Sequence, residues 1–111
     1  MTGSLEASDA AAQNVQQTPN RVTLQSLYDR INATEYIHPE SLPTMTIAVL
    51  TLDNGFVVVG KSAPADPENY NEALGQQFAR DDAIRQMWQL EGYLLRERLW
   101  QAEGEDESKV P

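Results

Sequence analysis

The sequence predicts an α+β fold: a short N-terminal helix, a central antiparallel β-hairpin and a long C-terminal helix laid across it. Two observations carry this. The segments "MTIAVLTL" and "FVVVGKSA" flank Asp53-Asn54-Gly55, and an Asn-Gly pair between two apolar runs is a strong hairpin signal because it tolerates the positive φ angles of a tight turn. From about Glu72 to Gln101 or Glu103 the apolar residues recur at helical rather than strand spacing.

In chain order, Met1–Asn20 is small, polar and without periodicity, too poor in apolar surface to offset the entropy of ordering, and is expected to be a disordered tail. It lacks the apolar and basic regions of a secretory signal. In "RVTLQSLYDRIN", Leu24, Leu27, Tyr28 and Ile31 fall at helical spacing, with Thr23 placed to cap the start and Asn32 suited to the end. "ATEYIHPESLPT", with prolines at 39 and 43, reads as an extended connection. In the hairpin, Met45, Ile47, Val49 and Thr51 face one side and Thr46, Ala48, Leu50 and Leu52 the other. Both sides are largely apolar, so the pair needs cover twice. Gly60 reads as a bulge. Asp66 before Pro67, and Asn69 ahead of Glu72, supply helix-start chemistry. A helix of thirty residues spans roughly 45 Å, long for so small a domain, so a bend near Gly75 or Gly92 or projection into a partner is expected. The single domain therefore covers residues 21–103, and residues 104–111 form an acidic tail.

The 111-residue chain carries a formal charge of −9 and no cysteine. Between Arg21 and Glu103 stand seven basic and twelve acidic side chains, which argues against a basic face for duplex nucleic acid. There are no disulfides or thiolate metal sites, and no apolar run approaches a membrane span. No nucleophile with a base, glycine-rich phosphate loop or metal-ligand spacing is present. His38, the only histidine, lies in the connection and reads as solvated or capping. Asp81 and Asp82 point about 100° apart on a helix and do not form an acid–base pair. Enzymatic activity, cofactor and metal are accordingly not expected.

The stretch "RDDAIRQMWQLEGYLLRERLW" nevertheless holds four of the eight basic residues. On a helical wheel the apolar stripe contains Leu74, Phe78, Ile84, Met87, Leu94 and Leu95, of which all but Phe78 are read as core. Arg80 and Arg98 lie within the stripe with Glu91 between them; Arg85 and Arg96 share its edge. A charge against an apolar face is costly unless paired or liganded. One reading has the arginine stems packing and their heads snorkelling to water or to Asp81, Glu91 and Glu97. The other has two or more converging with an aromatic on an anionic ligand, since guanidinium grips phosphate bidentately and Tyr70, Phe78, Trp88, Tyr93 or Trp100 could stack on a base. A homodimer or higher oligomer would bring distant residues of one helix together.

"VLTLDNGFVVVGKSA" followed by "DPENYNEALGQQFARDDAIRQMWQLEGYLLRERL" resembles the small tailed-phage gene product 49 / gene 66 family over about Thr44–Leu99. Members often carry asparagine where Asp82 stands and a cysteine near Ala63, and this chain departs at both. In size and layout it is also similar to the phage Thoeris anti-defence sponges of the first type. That second resemblance implies a non-catalytic, dimer-based protein of the host cytoplasm that sequesters a small nucleotide signalling molecule, cyclic ADP-ribose-like or a cyclic oligonucleotide. It would hold a pyrophosphate on Arg96 or Arg98, stack a base on Tyr70 and meet ribose hydroxyls with Asp82 or Asn71. The alternative is a phage interaction module that docks on a host protein.

Overall fold

The computed structural model describes residues 3–104. Four helical segments and three strands follow one another: α1 (Ser4–Asn14), α2 (Leu24–Arg30), β1 (Ile31–Ile37), β2 (Thr46–Leu52), β3 (Val57–Ser62), a 3-10 turn (Pro67–Asn69) and α3 (Glu72–Gly104). The strands form one antiparallel sheet in the order β1-β2-β3. The α+β arrangement of short helix, hairpin and long helix is therefore present.

Local chemistry sets most of the boundaries. The Thr23 hydroxyl accepts the Ser26 N–H at 3.1 Å and caps α2. The helix stops at Arg30 rather than Asn32, because Ile31 already pairs with Leu52. In the hairpin, the Gly55 N–H donates to the Leu52 carbonyl and the Leu52 N–H to the Phe56 carbonyl. Among the described residues only Gly55 has positive φ, at 90°, so the loop is a three-residue turn closed by a left-handed glycine.

Three expectations are corrected. Ser4–Asn14 is a helix within the span read as a tail. It docks because Leu5 is buried in the core, while the Asp9 carboxylate both pairs with Arg21 at 2.7 Å and accepts the Leu24 N–H at 3.1 Å. Ile31–Ile37 is a strand, not a connection, since β2 offers it a full edge. Pairing through Gly60 is regular. A Cβ there would lie 2.1 Å from the Ala79 carbonyl and 2.4 Å from the Ala83 nitrogen, so the glycine marks close approach of β3 to α3. The acidic tail beyond Gly104 lies outside the described residues.

The core lies between the sheet and the helices: Leu5, Leu24, Leu27, Leu50, Leu52, Ile84 and Met87 are its larger members. Thr46, Ala48, Leu50 and Leu52 face α3, as the alternation of β2 requires, and Ile47, Val49 and Thr51 face out and are only half-buried. α3 runs unbroken through Gly75 and Gly92. It meets the sheet through Ala79, Ala83, Ile84 and Met87, so its buried stripe is rotated from the expected one. Leu74, 48% exposed, Phe78, 52% exposed, and the exposed Leu94 are not core. Small residues are needed where the helix sits on Gly60, and that need sets the rotation. Thirty-three residues span about 50 Å. The chain has a radius of gyration of 17.7 Å and a long axis of 61 Å, against roughly 13 Å for a globular chain of this length. The last turns of α3 project from the body.

Candidate functional site

The candidate residues divide between the two ends of α3. At the start, the Asp66 carboxylate caps the 3-10 turn by accepting the Glu68 N–H. The Asn71 side chain, and not that of Asn69, then accepts the Leu74 N–H at 3.0 Å and caps α3. Tyr70 sits between, its ring edge-on to His38 at 6.3 Å. His38 is held in turn: Nδ1 stands 2.9 Å from the Met45 carbonyl and Nε2 3.5 Å from Glu72. Because the carbonyl can only accept, Nδ1 carries the proton. Tyr70, Asn71, Leu74 and Phe78 line a mostly apolar cleft of about 200 Å³ against Ser62 and Pro64. Gly75 forms part of its wall, where a Cβ would press on the buried Thr46 hydroxyl. Asp66, Glu68 and Glu72 put carboxylates at this end, so the cleft suits an uncharged group better than an anion.

Asp82 lies in the middle of the helix and is engaged by the sheet. Its carboxylate accepts the Lys61 N–H at 3.0 Å, and four residues on, the Gln86 amide donates to the Val59 carbonyl at 2.8 Å. Both groups belong to the outer edge of β3, which two side chains of α3 therefore cap.

The arginines answer separately to their surroundings. Arg80 lies 5.0 Å over the Tyr28 ring, a cation–π contact. Arg85 donates to the Ser4 hydroxyl at 2.7 Å. Glu91, expected to meet Arg80 or Arg98, is taken by Arg30, which reaches it at 2.7 Å and Asp53 at 2.8 Å. Hydrogen bonding to these two carboxylates raises the Arg30 pKa further and lowers that of Asp53. Among the described residues Arg96 has only a 3.5 Å contact with Glu103. Arg98 makes no hydrogen bond or ion pair among the described residues.

Arg96 lies 24 residues beyond Glu72, about 36 Å along the helix. Within one chain the structure does not bring Arg96 or Arg98 to Tyr70, Asn71 or Asp82. It does group Arg96 with Tyr93 and Trp100, two of the five aromatics that the sequence offers for stacking. Tyr93, Arg96 and Trp100 share one face at the i, i+3, i+7 spacing, with Tyr93 68% and Trp100 59% exposed. That spacing was visible in the sequence. Its exposure was not, because it depends on where the body ends.

No group of three or more potential metal ligands occurs among the described residues, and no described helix is long and apolar enough to cross a membrane.

These features define a small α+β protein, a three-stranded meander backed by one long helix, with its candidate binding groups strung along that helix. The chain belongs to the phage protein (N4 Gp49/phage Sf6 gene 66) family, whose sequence model matches residues 13–99, from the end of α1 through the sheet to Leu99. Neither the curated proteins nor the solved structures give a match.

Proposed function

We propose that this phage protein is a non-catalytic binder that sequesters a nucleotide-derived immune signal and so counteracts host anti-phage defence. The observation carrying the reading is the Tyr93–Arg96–Trp100 face. A guanidinium between two exposed aromatics offers charge-assisted hydrogen bonds to a phosphate and stacking surfaces for a base. The resemblance to the sponge proteins supplies the class of signal; the helix supplies the chemistry. Because a helix face is convex and ligand sites are concave, a second surface must close over it. The Tyr70–Phe78 cleft, apolar and without a cation, is suited to a base or ribose rather than to the phosphates.

The test is a thermal-shift and calorimetric screen with cyclic ADP-ribose, linear ADP-ribose and cyclic dinucleotides. A ligand at a hundred times its Kd should raise the apparent stability by about 2.7 kcal/mol. Arg96→Gln should lower affinity roughly ten- to a hundredfold, in line with about 1.5–3 kcal/mol for a charge-assisted hydrogen bond. Tyr93→Ala and Tyr70→Ala then tell which end holds the base. A flat response to every nucleotide defeats the proposal.

One observation favours a second reading, docking on a host protein. The outward face of the sheet presents Ile37, Ile47, Val49, Val57 and Val59, with Ile37, Val57 and Val59 exposed. Contiguous apolar surface of this kind marks interaction sites.

A further inference from the structure

We propose that α1 fills, in cis, a helix-binding groove along α2 and α3, and that the groove's partner is an acidic amphipathic helix of another protein. That helix would sit where α1 sits and reach further along α3. The inference does not rest on the nucleotide reading.

The first ground is how lightly α1 is held. Leu5 is the one buried residue of its eleven, so a single side chain carries its apolar contact with the core. The sequence model of the family begins at residue 13 and leaves nearly all of α1 out. Residues 15–20, which join α1 to the rest of the chain, are all exposed. An element with so little buried apolar surface opens before the body it rests on.

The second ground is charge, and it selects the occupant. Arg21 meets Asp9 at 2.7 Å, and Arg85 donates to the Ser4 hydroxyl at 2.7 Å. The Tyr28 hydroxyl, whose ring lies under Arg80, donates to Glu6 at 3.3 Å. Three of the eight basic residues of a chain of net charge −9 therefore gather about α1. Against them stands the carboxylate of Asp81, which leaves this wall positive on balance. Glu6 and Asp9 are the groups of α1 that answer it, so a helix bearing carboxylates at those places is matched and one bearing lysines is repelled.

The third ground is length. Past the start of α1 a cleft of about 560 Å³ runs on along α3, lined by Gly3, Ser4, Leu74, Gln77, Phe78 and Asp81. Leu74 and Phe78, four residues apart on one face of α3, are about half exposed there. Being tethered, α1 competes at a high effective concentration, and a partner displaces it only through contacts that α1 lacks. Leu74 and Phe78 offer those contacts. A helix with large apolar residues four and seven positions ahead of its counterpart of Leu5 would cover both.

Two fluorescein-labelled peptides test this by anisotropy. One has the sequence of residues 3–16; the other adds about two helical turns at its N-terminus, with leucines four and seven positions before Leu5. The longer peptide should bind the wild-type chain in the micromolar range. It should bind a Leu5→Glu chain, whose own α1 is released, roughly tenfold tighter or more. The shorter one should bind the Leu5→Glu chain and not the wild type. Lysines in place of Glu6 and Asp9 in the longer peptide should weaken it by roughly tenfold or more. Asp9→Ala loosens α1 without touching the core, and supplies the same comparison should Leu5→Glu fail to fold. Failure of the longer peptide to bind any of these chains, or equal binding of its lysine form, overturns the proposal. A wild-type dimer that Leu5→Glu dissolves, read by light scattering, makes a second copy the occupant and overturns it as well.

Discussion

Arg30 Nη1 stands 2.7 Å from Glu91 Oε2, joining residues 61 positions apart at the point where α3 leaves the body. The same guanidinium holds Asp53 at the hairpin turn. One side chain therefore ties α2, the turn and the long helix together.

Removing that tie should loosen all three. The pair is partly shielded, with side-chain exposures of 24% and 15%, so it lies between a surface ion pair and a buried one. Arg30→Ala should cost about 1–2 kcal/mol in urea unfolding, discounted for solvent screening. A double-mutant cycle with Glu91→Ala should show coupling above about 0.5 kcal/mol. Additive effects would mean that the contact contributes nothing.

Two glycines should respond to alanine in opposite directions. Gly60 has no space for a Cβ, and the obstacle is the backbone of α3, which cannot swing aside. Gly60→Ala should destabilise by more than about 2 kcal/mol, at the upper end of overpacking. Gly92 has nothing within 4 Å of its Cβ position and lies inside a regular helix. There alanine should stabilise by about 0.5–1 kcal/mol through helix propensity. Equal effects at the two sites, read by thermal melts, would contradict the close approach described for Gly60 alone.

Burial raises the Asp81 pKa above its ordinary value, and the nearby Glu6 adds to the effect against Arg85 and Arg80. As pH falls, a carboxylate whose pKa is raised in the folded state takes up its proton there before the unfolded chain does. The folded state thus binds more protons above pH 3.8, and stability falls as pH rises through the folded pKa. Asp81→Asn should accordingly be more stable than wild type at pH 7, with the gain shrinking toward pH 4. Asp9 behaves oppositely: the Arg21 hydrogen bond and the Leu24 N–H lower its pKa. Its contribution is present above the unfolded value and is lost as pH falls through the folded one. Urea midpoints from pH 3 to 8 for Asp81→Asn and Asp9→Asn separate the two signs.

What the sequence made legible was local. Thr23 ahead of a spaced apolar trio and Asn54-Gly55 between two valine- and leucine-rich runs announce α2 and the hairpin by chemistry within a few residues. β1 has no such mark, since Asn32, Thr34 and Glu35 give no apolar alternation, and it is a strand because β2 accepts it. α1 carries one large core residue, Leu5, and is held by Asp9 acting twelve and fifteen residues away. The buried face of α3 is not marked by its large side chains, because contact with Gly60 demands the small Ala79 and Ala83. At the candidate site, arginine-with-aromatic chemistry was readable, but its grouping was not. Distance along α3 separates Tyr70 from Arg96, and the place where the body ends exposes Tyr93 and Trp100.

The capping of β3 by Asp82 and Gln86 bears on how far the protein can grow. Of the two margins of a three-stranded sheet, this one has its Lys61 N–H and Val59 carbonyl already satisfied by the chain's own helix. Two of the outward groups that a further strand would use are therefore taken there, which disfavours strand addition at that margin. A further strand is accommodated more readily beside β1, and two copies meeting at that margin would exhaust it. A sheet with one margin capped in this way favours pairing at the other margin over growth into a fibre.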